Sequence, residues 1–128
     1  MDQIANFITQ IKNAGNANHD NVIVSYSKLK HSIANVLKAE NFIKDVAEKS
    51  VKGRKSLSID LFIENHTPRI KGVARISKPS KRIYKKATEM KPIKSGYGAL
   101  IVSTSAGVMS GSKAKKAQLG GEALFSIW

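Results

Sequence analysis

Three consecutive hydroxyl side chains follow an apolar run in this sequence. Residues 99–102 are apolar, and Ser103, Thr104 and Ser105 come directly after them, shortly before Gly107. Hydroxyls at the end of a strand can bond to phosphate oxygens, ribose hydroxyls and base edges, and a glycine there allows a backbone to come close. The alternative is that these hydroxyls only hydrogen-bond within their own turn, residues 103–107. The residues of this hydroxyl turn leave both interpretations open.

A basic stretch, residues 77–86, combines five cations with one aromatic residue. The cations can neutralise phosphates, and Tyr84 can stack on a base or a ribose. The alternative is a strand edge that lysines guard against aggregation. Further Lys and Arg residues on both sides favour binding, because guarding an edge does not need so many charges. The residues expected to bind are Lys78, Arg82, Tyr84, Lys85 and Lys86.

A third candidate site is the Gly120-Gly121-Glu122 segment. Glu122 stands among cations at the expected start of a strand. It can orient an Arg or Lys side chain, or accept hydrogen bonds from ribose hydroxyls. The alternative is an ordinary surface carboxylate, and the local sequence does not decide between the two.

The charge of the chain is concentrated in its second half. Residues 1–64 hold nine Lys or Arg against seven Asp or Glu, whereas residues 65–128 hold thirteen against two, a net charge of +11. A surface this basic needs an anionic partner. RNA, DNA and an acidic surface would each satisfy it.

Residue types needed for catalysis are scarce in the basic half. General acid–base and metal-assisted chemistry use clustered carboxylates or histidines, and residues 65–128 offer only Glu89 and Glu122 as acids. The three histidines show no metal-ligand spacing, and the absence of cysteine excludes disulfides and thiolate metal sites. We therefore expect no enzymatic activity, no cofactor and no metal.

The apolar runs are far shorter than the roughly 20 residues that a membrane-spanning helix needs. No cationic leader precedes a hydrophobic stretch. We expect a soluble protein without an export signal or a membrane partner.

The periodicity of the apolar residues predicts two small lobes of an α+β fold. Residues 1–65 are expected to form an N-terminal α/β lobe in the order α-β-α-β-β, with Asp2 and Ser27 capping the two helices. Residues 66–128 are expected to form a mainly β C-terminal lobe with one short helix. The predicted helices cover about 2–12, 28–38 and 112–119, and the predicted strands 22–24, 42–47, 56–63, 70–77, 82–85, 98–103 and 122–128.

Five segments in register resemble one known family. They are residues 2–13, 27–38, 75–85 and 101–109, followed by Gly120-Gly121-Glu122 and a short hydrophobic strand that ends in Trp128. Together they resemble the bacterial-type small-subunit ribosomal protein number eight. Departures from the family pattern are Gln3, Ser80, Ala106 and Gly111, and the last of these affects the expected start of the third helix.

The resemblance implies a protein that binds a helical stem in the central domain of small-subunit rRNA. It implies RNA contacts at the hydroxyl turn and around Glu122, and further contacts from Tyr84 and from the second helix. The implied contact residues are Ser103, Thr104, Ser105, Gly107, Gly121, Glu122, Tyr84, Lys28 and Lys30. It also implies neighbouring ribosomal proteins as partners, and in many bacteria a repressed mRNA of the protein's own operon.

The sequence therefore predicts a structural component of the small ribosomal subunit that supports its assembly. Its expected location is the ribosome in the cytoplasm, and an organellar ribosome is also compatible. The alternative is a general architectural protein that binds double-stranded nucleic acid. The two differ in specificity, because the alternative needs no particular RNA fold.

Overall fold

The computed structural model describes residues 3–64, 67–90 and 98–128 of the chain. Within them lie three α-helices, one short 3-10 helix at Ala87–Glu89 and ten strands in antiparallel pairs, so the expected α+β fold with two lobes is confirmed. The helices are α1 (Gln3–Asn16), α2 (Lys28–Ala39) and α3 (Gly111–Lys116). The strands are β1 (Asn21–Ser25), β2 (Ile43–Val51), β3 (Arg54–Leu61), β4 (Ile63–Glu64), β5 (Thr67–Pro68), β6 (Val73–Arg75), β7 (Tyr84–Lys85), β8 (Ala99–Thr104), β9 (Gly107–Ser110) and β10 (Gly121–Ile127).

The chain forms two compact units. The first is Asn6–Lys71, and the second is Gly72–Trp128 together with the first residues of the chain. The domain division expected from the sequence, 1–65 and 66–128, remains a prediction, because compactness does not test whether each part folds alone. In the described residues, no helix is both long and apolar enough to cross a membrane.

The first unit contains a three-stranded sheet in the order β1-β3-β2. Leu57, Ile59 and Leu61 alternate along β3 and are buried, as the period of two predicts for one face of a strand. Helix α2 buries Ile33, Ala34 and Leu37 at helical spacing. Its N-cap is Ser27, whose hydroxyl accepts a hydrogen bond from the Lys30 backbone N–H, so the cap expected from the sequence is present.

The second unit is organised around β10. This strand pairs with β6 and β7 on one side and with β8 on the other, and β8 pairs in turn with β9. Apolar side chains cover one face of the sheet, and α3 contributes one of them. The buried members of this cluster are Met90, Leu100, Val102, Met109, Ala114 and Ala123.

Helix α3 begins at Gly111, where the sequence departs from the family pattern. Ser110 is the N-cap, and its hydroxyl accepts from the Lys113 backbone N–H across 3.3 Å. A Cβ at position 111 would lie 3.1 Å from the Cβ of Leu100. The close packing of the helix start against β8 therefore favours a residue without a side chain.

The elements differ from the sequence-based expectations in several places. Strand β2 continues to Val51 beyond the predicted end at residue 47, only Tyr84–Lys85 of the predicted strand 82–85 forms a strand, and β5 and the 3-10 helix were not expected. Helix α1 continues beyond the predicted end near residue 12, through Gly15 to Asn16. A Cβ on Gly15 would lie 3.1 Å from the Cβ of Pro68, so this close packing favours glycine within the helix. Within the predicted strand 70–77 only Val73–Arg75 has regular strand geometry, although the Ile76 and Ser77 backbone N–H groups also donate to carbonyls of β10 and Gly72 exchanges hydrogen bonds with Trp128. Strand β9 was not expected. The predicted cap Asp2 and residues 65–66 of the predicted lobe boundary lie outside the described residues.

Candidate nucleic-acid interface

The three candidate sites of the second half meet on neighbouring strands. Glu122 of β10 lies between Tyr84 of β7 and Ser103 of β8, forming one row across the sheet. Directly beside it, Gly121 lies between Lys85 and Thr104. Because side chains of successive residues point to opposite faces, the two rows lie on opposite faces of the same end of the sheet. The order of the strands therefore joins the basic stretch, the hydroxyl turn and the Gly-Gly-Glu segment.

The hydroxyl turn is the connection between β8 and β9. The Thr104 hydroxyl donates to the carbonyl of Gly107 across 2.8 Å and accepts from the Ala106 backbone N–H across 3.2 Å, so it holds the turn together. Ser105 is exposed at the tip, and Ser103 is half-buried in the adjoining strand. Gly107 has φ 115° with nothing within 4 Å of a Cβ position, so its backbone conformation favours glycine and its surroundings are open.

Glu122 is held by two side chains of the basic stretch. Its carboxylate accepts from the Ser77 hydroxyl across 2.5 Å and from the Arg82 guanidinium across 3.0 Å. Burial would raise the pKa of this carboxyl, whose side chain is 17% exposed, but the hydrogen bonds from Ser77 and Arg82 and the charges of Arg82 and Arg75 outweigh it and lower the pKa. Glu122 thus orients a cation, which is one of the two roles considered for it.

Ser77 is a site residue that the sequence reasoning missed. It is fully buried, and besides donating to Glu122 it accepts from the Ile83 backbone N–H across 3.1 Å. The available signal was a serine at the end of a predicted strand, next to the basic stretch. Its partner is distant in sequence, so that signal did not identify the contact.

Gly120 and Gly121 allow three backbone segments to approach one another. A Cβ on Gly121 would clash with the carbonyl group of Ser103, and a Cβ on Gly120 would lie 2.8 Å from the carbonyl oxygen of Lys85. Strands β7, β10 and β8 can pair this closely only if both positions lack a side chain. The glycines therefore serve the assembly of the site.

The cations of the basic stretch lie on a short hairpin and on the segment after it. The backbones of Lys78 and Lys81 exchange two hydrogen bonds of 2.9 and 3.0 Å, which turns the chain sharply. Lys78, Lys81 and Arg82 are exposed there. Lys85 is half-buried in β7, and Lys86 is exposed at the start of the 3-10 helix.

Tyr84 is the most exposed of the large apolar and aromatic side chains in the described residues, at 70%. An aromatic ring in water beside cations is available for stacking on a base. It lies in the same row as Glu122 and Ser103, so a ligand that stacks on Tyr84 would meet these two residues next.

The described part of the second unit carries positive charge that its own acids do not balance. Its two carboxylates are both engaged, Glu122 as above and Glu89 by accepting from the Lys86 backbone N–H across 2.8 Å. The cations around them outnumber these two acids, and this excess of positive charge favours a polyanion. These cations are Arg75, Lys78, Lys81, Arg82, Lys85, Lys86, Lys113, Lys115 and Lys116.

Lys28 and Lys30 belong to the first unit, in the first turn of α2. Lys28 is exposed, and the Lys30 ammonium donates to the Ser25 hydroxyl across 3.0 Å. These two residues therefore contribute to the surface of the first unit.

In the described ranges, no group of three or more His, Asp and Glu side chains is placed to hold a metal ion. The two rows across β7, β10 and β8 offer hydrogen-bonding groups, an aromatic ring for stacking and positive charge. These are the group types that contact phosphates, sugar hydroxyls and bases in nucleic-acid complexes.

Comparison with a family model and comparison with curated proteins give the same result. A family model described as ribosomal protein S8 matches residues 2–128. Among the most similar curated relatives, the small ribosomal subunit protein uS8 of Kocuria rhizophila is 42% identical over 128 residues, which cover 99% of this chain and 97% of the relative. The uS8 proteins of Micrococcus luteus and Corynebacterium diphtheriae are 41% and 40% identical over the same shares of both chains.

Proposed function

The chain belongs to the ribosomal protein S8 family and is a structural constituent of the small ribosomal subunit, and on this premise we propose that it binds a helical stem in the central domain of small-subunit rRNA and supports subunit assembly. The family consists of structural proteins rather than enzymes, which confirms the expected lack of catalysis, and its members reside in the ribosome.

The row Tyr84–Glu122–Ser103 is the observation that supports this function most strongly. A-form RNA hides its base edges in a deep, narrow major groove, so proteins read irregular stems through unstacked bases, minor-groove edges and ribose 2′-hydroxyls. An exposed aromatic ring, an oriented cation and strand-end hydroxyls at one end of the sheet match those features. The Ser103 and Ser105 hydroxyls supply specificity, and the surrounding lysines supply affinity for any polyanion.

The same surface supports a second RNA ligand. A site that reads the shape of a stem binds any RNA that folds into that shape. Translational repression through an mRNA stem of the protein's own operon therefore follows from the same chemistry, and we include it in the proposal.

A general architectural protein for double-stranded nucleic acid is the alternative function. The nine described cations of the second unit would be enough for it. The hydroxyl turn and the glycine-dependent pairing of three strands favour the specific function, because charge-driven binding needs neither.

Filter binding to a central-domain rRNA stem and to a random RNA duplex of equal length separates the two functions. We expect clear preference for the rRNA stem at two salt concentrations. Ser105→Ala should narrow this preference by about 1–2 kcal/mol, as for a hydrogen bond to a charged or buried partner. Thr9→Ala, which removes an exposed hydroxyl from α1 of the first unit, is the control. Equal binding of both RNAs by the wild type would favour the architectural function.

A further inference from the structure

The β2–β3 hairpin extends beyond the rest of the first unit's sheet. Strand β1 ends its pairing at Ser25, opposite Ser56, whereas β2 and β3 continue for two further pairs to Val51 and Arg54. Lys52 and Gly53 form the turn, both with positive φ. The end of this hairpin is therefore a two-stranded ribbon that projects past β1.

Cations and hydroxyls share the outer face of this hairpin. Ser25, Ser56 and Lys49 form one row across the three strands, and Arg54, opposite Val51, lies on the same face one row further out. Lys30 reaches this row through its hydrogen bond to Ser25. We call the set Ser25, Lys30, Lys49, Lys52, Arg54 and Ser56 the hairpin surface. Most of it is exposed, and Lys30 and Ser56 are half-buried.

The charges on the other face of the hairpin are already engaged. The Lys55 ammonium lies 5.0 Å from the ring centroid of Tyr26, and His31 is 3.3 Å from the carboxylate of Glu48. Both contacts hold the start of α2 against the hairpin. The acid nearest to the ribbon in sequence, Glu48, therefore faces away from the hairpin surface.

The acids of the outer face lie at the opposite end of the sheet. Asp45 and Asp60 share a row with Asn21, four residues along β1 from Ser25. At about 3.3 Å per residue this separation is roughly 13 Å, which exceeds a Debye length of about 8 Å at physiological salt. The hairpin surface therefore presents its positive charge to a ligand with little cancellation.

We propose that the hairpin surface is a second RNA-docking site, which binds the phosphate and ribose backbone. Lys49, Lys52 and Arg54 neutralise phosphates, and Ser25 and Ser56 bond to phosphate oxygens or ribose hydroxyls. The identity of the ligand as RNA rests on the proposed function. The site itself lies wholly within the first unit and uses none of the residues of the Tyr84–Glu122–Ser103 row.

An acidic protein neighbour would also suit the charge, but other features of the surface favour RNA. Protein interfaces have a core that is depleted in lysine and rich in aromatic and apolar side chains. The hairpin surface is rich in lysine, and the exposed large hydrophobic residues on its face are two, Val51 on the ribbon and Ile23 one row inward from Ser25. Hydroxyls flanked by cations are the combination found in the hydroxyl turn and basic stretch of the second unit.

The salt dependence of binding to a central-domain rRNA fragment tests whether the cations of the hairpin surface contact phosphates. We expect Lys49→Gln, Lys52→Gln and Arg54→Gln, combined in the full chain, to reduce the slope of log affinity against log salt by about 0.7–0.9 per lost phosphate contact. The matched control combines Lys12→Gln, Lys38→Gln and Lys44→Gln, three cations of the same unit outside the hairpin surface. Equal slopes for the two triple variants would overturn the proposal. Loss of subunit incorporation with unchanged RNA binding would overturn it in favour of a protein partner.

Directed hydroxyl-radical cleavage provides a positional test, since the chain has no cysteine of its own. An iron chelate attached through Val51→Cys keeps every cation of the hairpin surface, and we expect it to cleave the rRNA backbone at a discrete position. Ala106→Cys reports on the hydroxyl turn, and Gln10→Cys, exposed on α1, is the background control. Cleavage from position 106 with only background from position 51 would overturn this inference and leave the proposed function intact. Cleavage from position 51 without cleavage from position 106 would support the hairpin surface and contradict the proposed function.

Discussion

The hydroxyl of Ser77 donates a hydrogen bond to Glu122, which lies 45 residues further along the chain. The same oxygen accepts from the Ile83 backbone N–H, and the serine is fully buried. One hydroxyl thus attaches the basic stretch to β10. The orientation of Arg82, which also binds Glu122, depends on this attachment.

Ser77→Ala should lower the free energy of unfolding by about 1–3 kcal/mol, because it leaves the Ile83 N–H and the Glu122 carboxylate without a buried partner. Urea unfolding measures this loss. Ser80→Ala, in the exposed turn between Lys78 and Lys81, should stay within about 0.5 kcal/mol of the wild type. Similar losses for both variants would contradict a special role for the buried hydroxyl.

Glu122 should make stability depend on pH in the acid range. Although burial raises its pKa, the bonds from Ser77 and Arg82 lower it below the ordinary value of 4.5. The folded protein then holds this proton less tightly than the unfolded chain, so the stabilisation is complete above the unfolded pKa and is lost as the pH falls through the folded pKa. Urea midpoints between about pH 6 and pH 3 should fall less steeply for Glu122→Gln than for the wild type. Parallel curves would contradict this prediction.

Gly121→Ala should disrupt the pairing of β10 with β8, because the added Cβ clashes with the Ser103 carbonyl group. Overpacking of this kind costs about 1–3 kcal/mol or more. Gly53→Ala is the matched control, since its surroundings are open and only the positive φ opposes a side chain, at about 1–2 kcal/mol. We expect Gly121→Ala also to weaken binding to the rRNA stem, which filter binding would show, and Gly53→Ala serves as the control for stability alone.

Neutralising Lys85 and Lys86 should weaken binding to the rRNA stem and to a random duplex alike. Each lost phosphate contact should flatten the salt dependence by up to about 0.9 in slope. Affinities measured over a range of salt concentrations give the slope directly. Lys12→Gln with Lys44→Gln provides the same loss of charge in the first unit. A slope identical to that of the wild type would mean that Lys85 and Lys86 only guard the strand edge.

The parts of the fold that local sequence determines were predictable. Ser27 caps α2 as expected, because an N-cap depends on neighbouring residues. The apolar run of β8 and the alternation of β3 likewise appear in the sequence. Helix α1 runs to Asn16, beyond the predicted end near residue 12, and includes Gly15, since the low helix propensity of a single glycine is a weak preference that tertiary packing can override.

The residue types of the candidate site could be predicted from the sequence, but their arrangement in space could not. Hydroxyls, cations and Tyr84 were recognisable as residue types that bind RNA. Their meeting depends on β10 pairing with both β7 and β8, which no local pattern encodes. Strand β9 was missed for a related reason, since its four residues begin with one glycine, are followed by another, and form a strand only by pairing with β8. Whether each site residue contacts RNA remains a prediction.

The position of β10 in its sheet has a consequence for the order of events during synthesis. The three-stranded sheet of the first unit has all of its strands once Leu61 has been translated, whereas the sheet of the second unit lacks its central strand until Gly121–Ile127 follow. The nascent chain therefore exposes the cations of the basic stretch before Glu122 exists to orient them. Attraction to polyanions arises early in translation, and the selective surface is completed only when β10 joins the sheet.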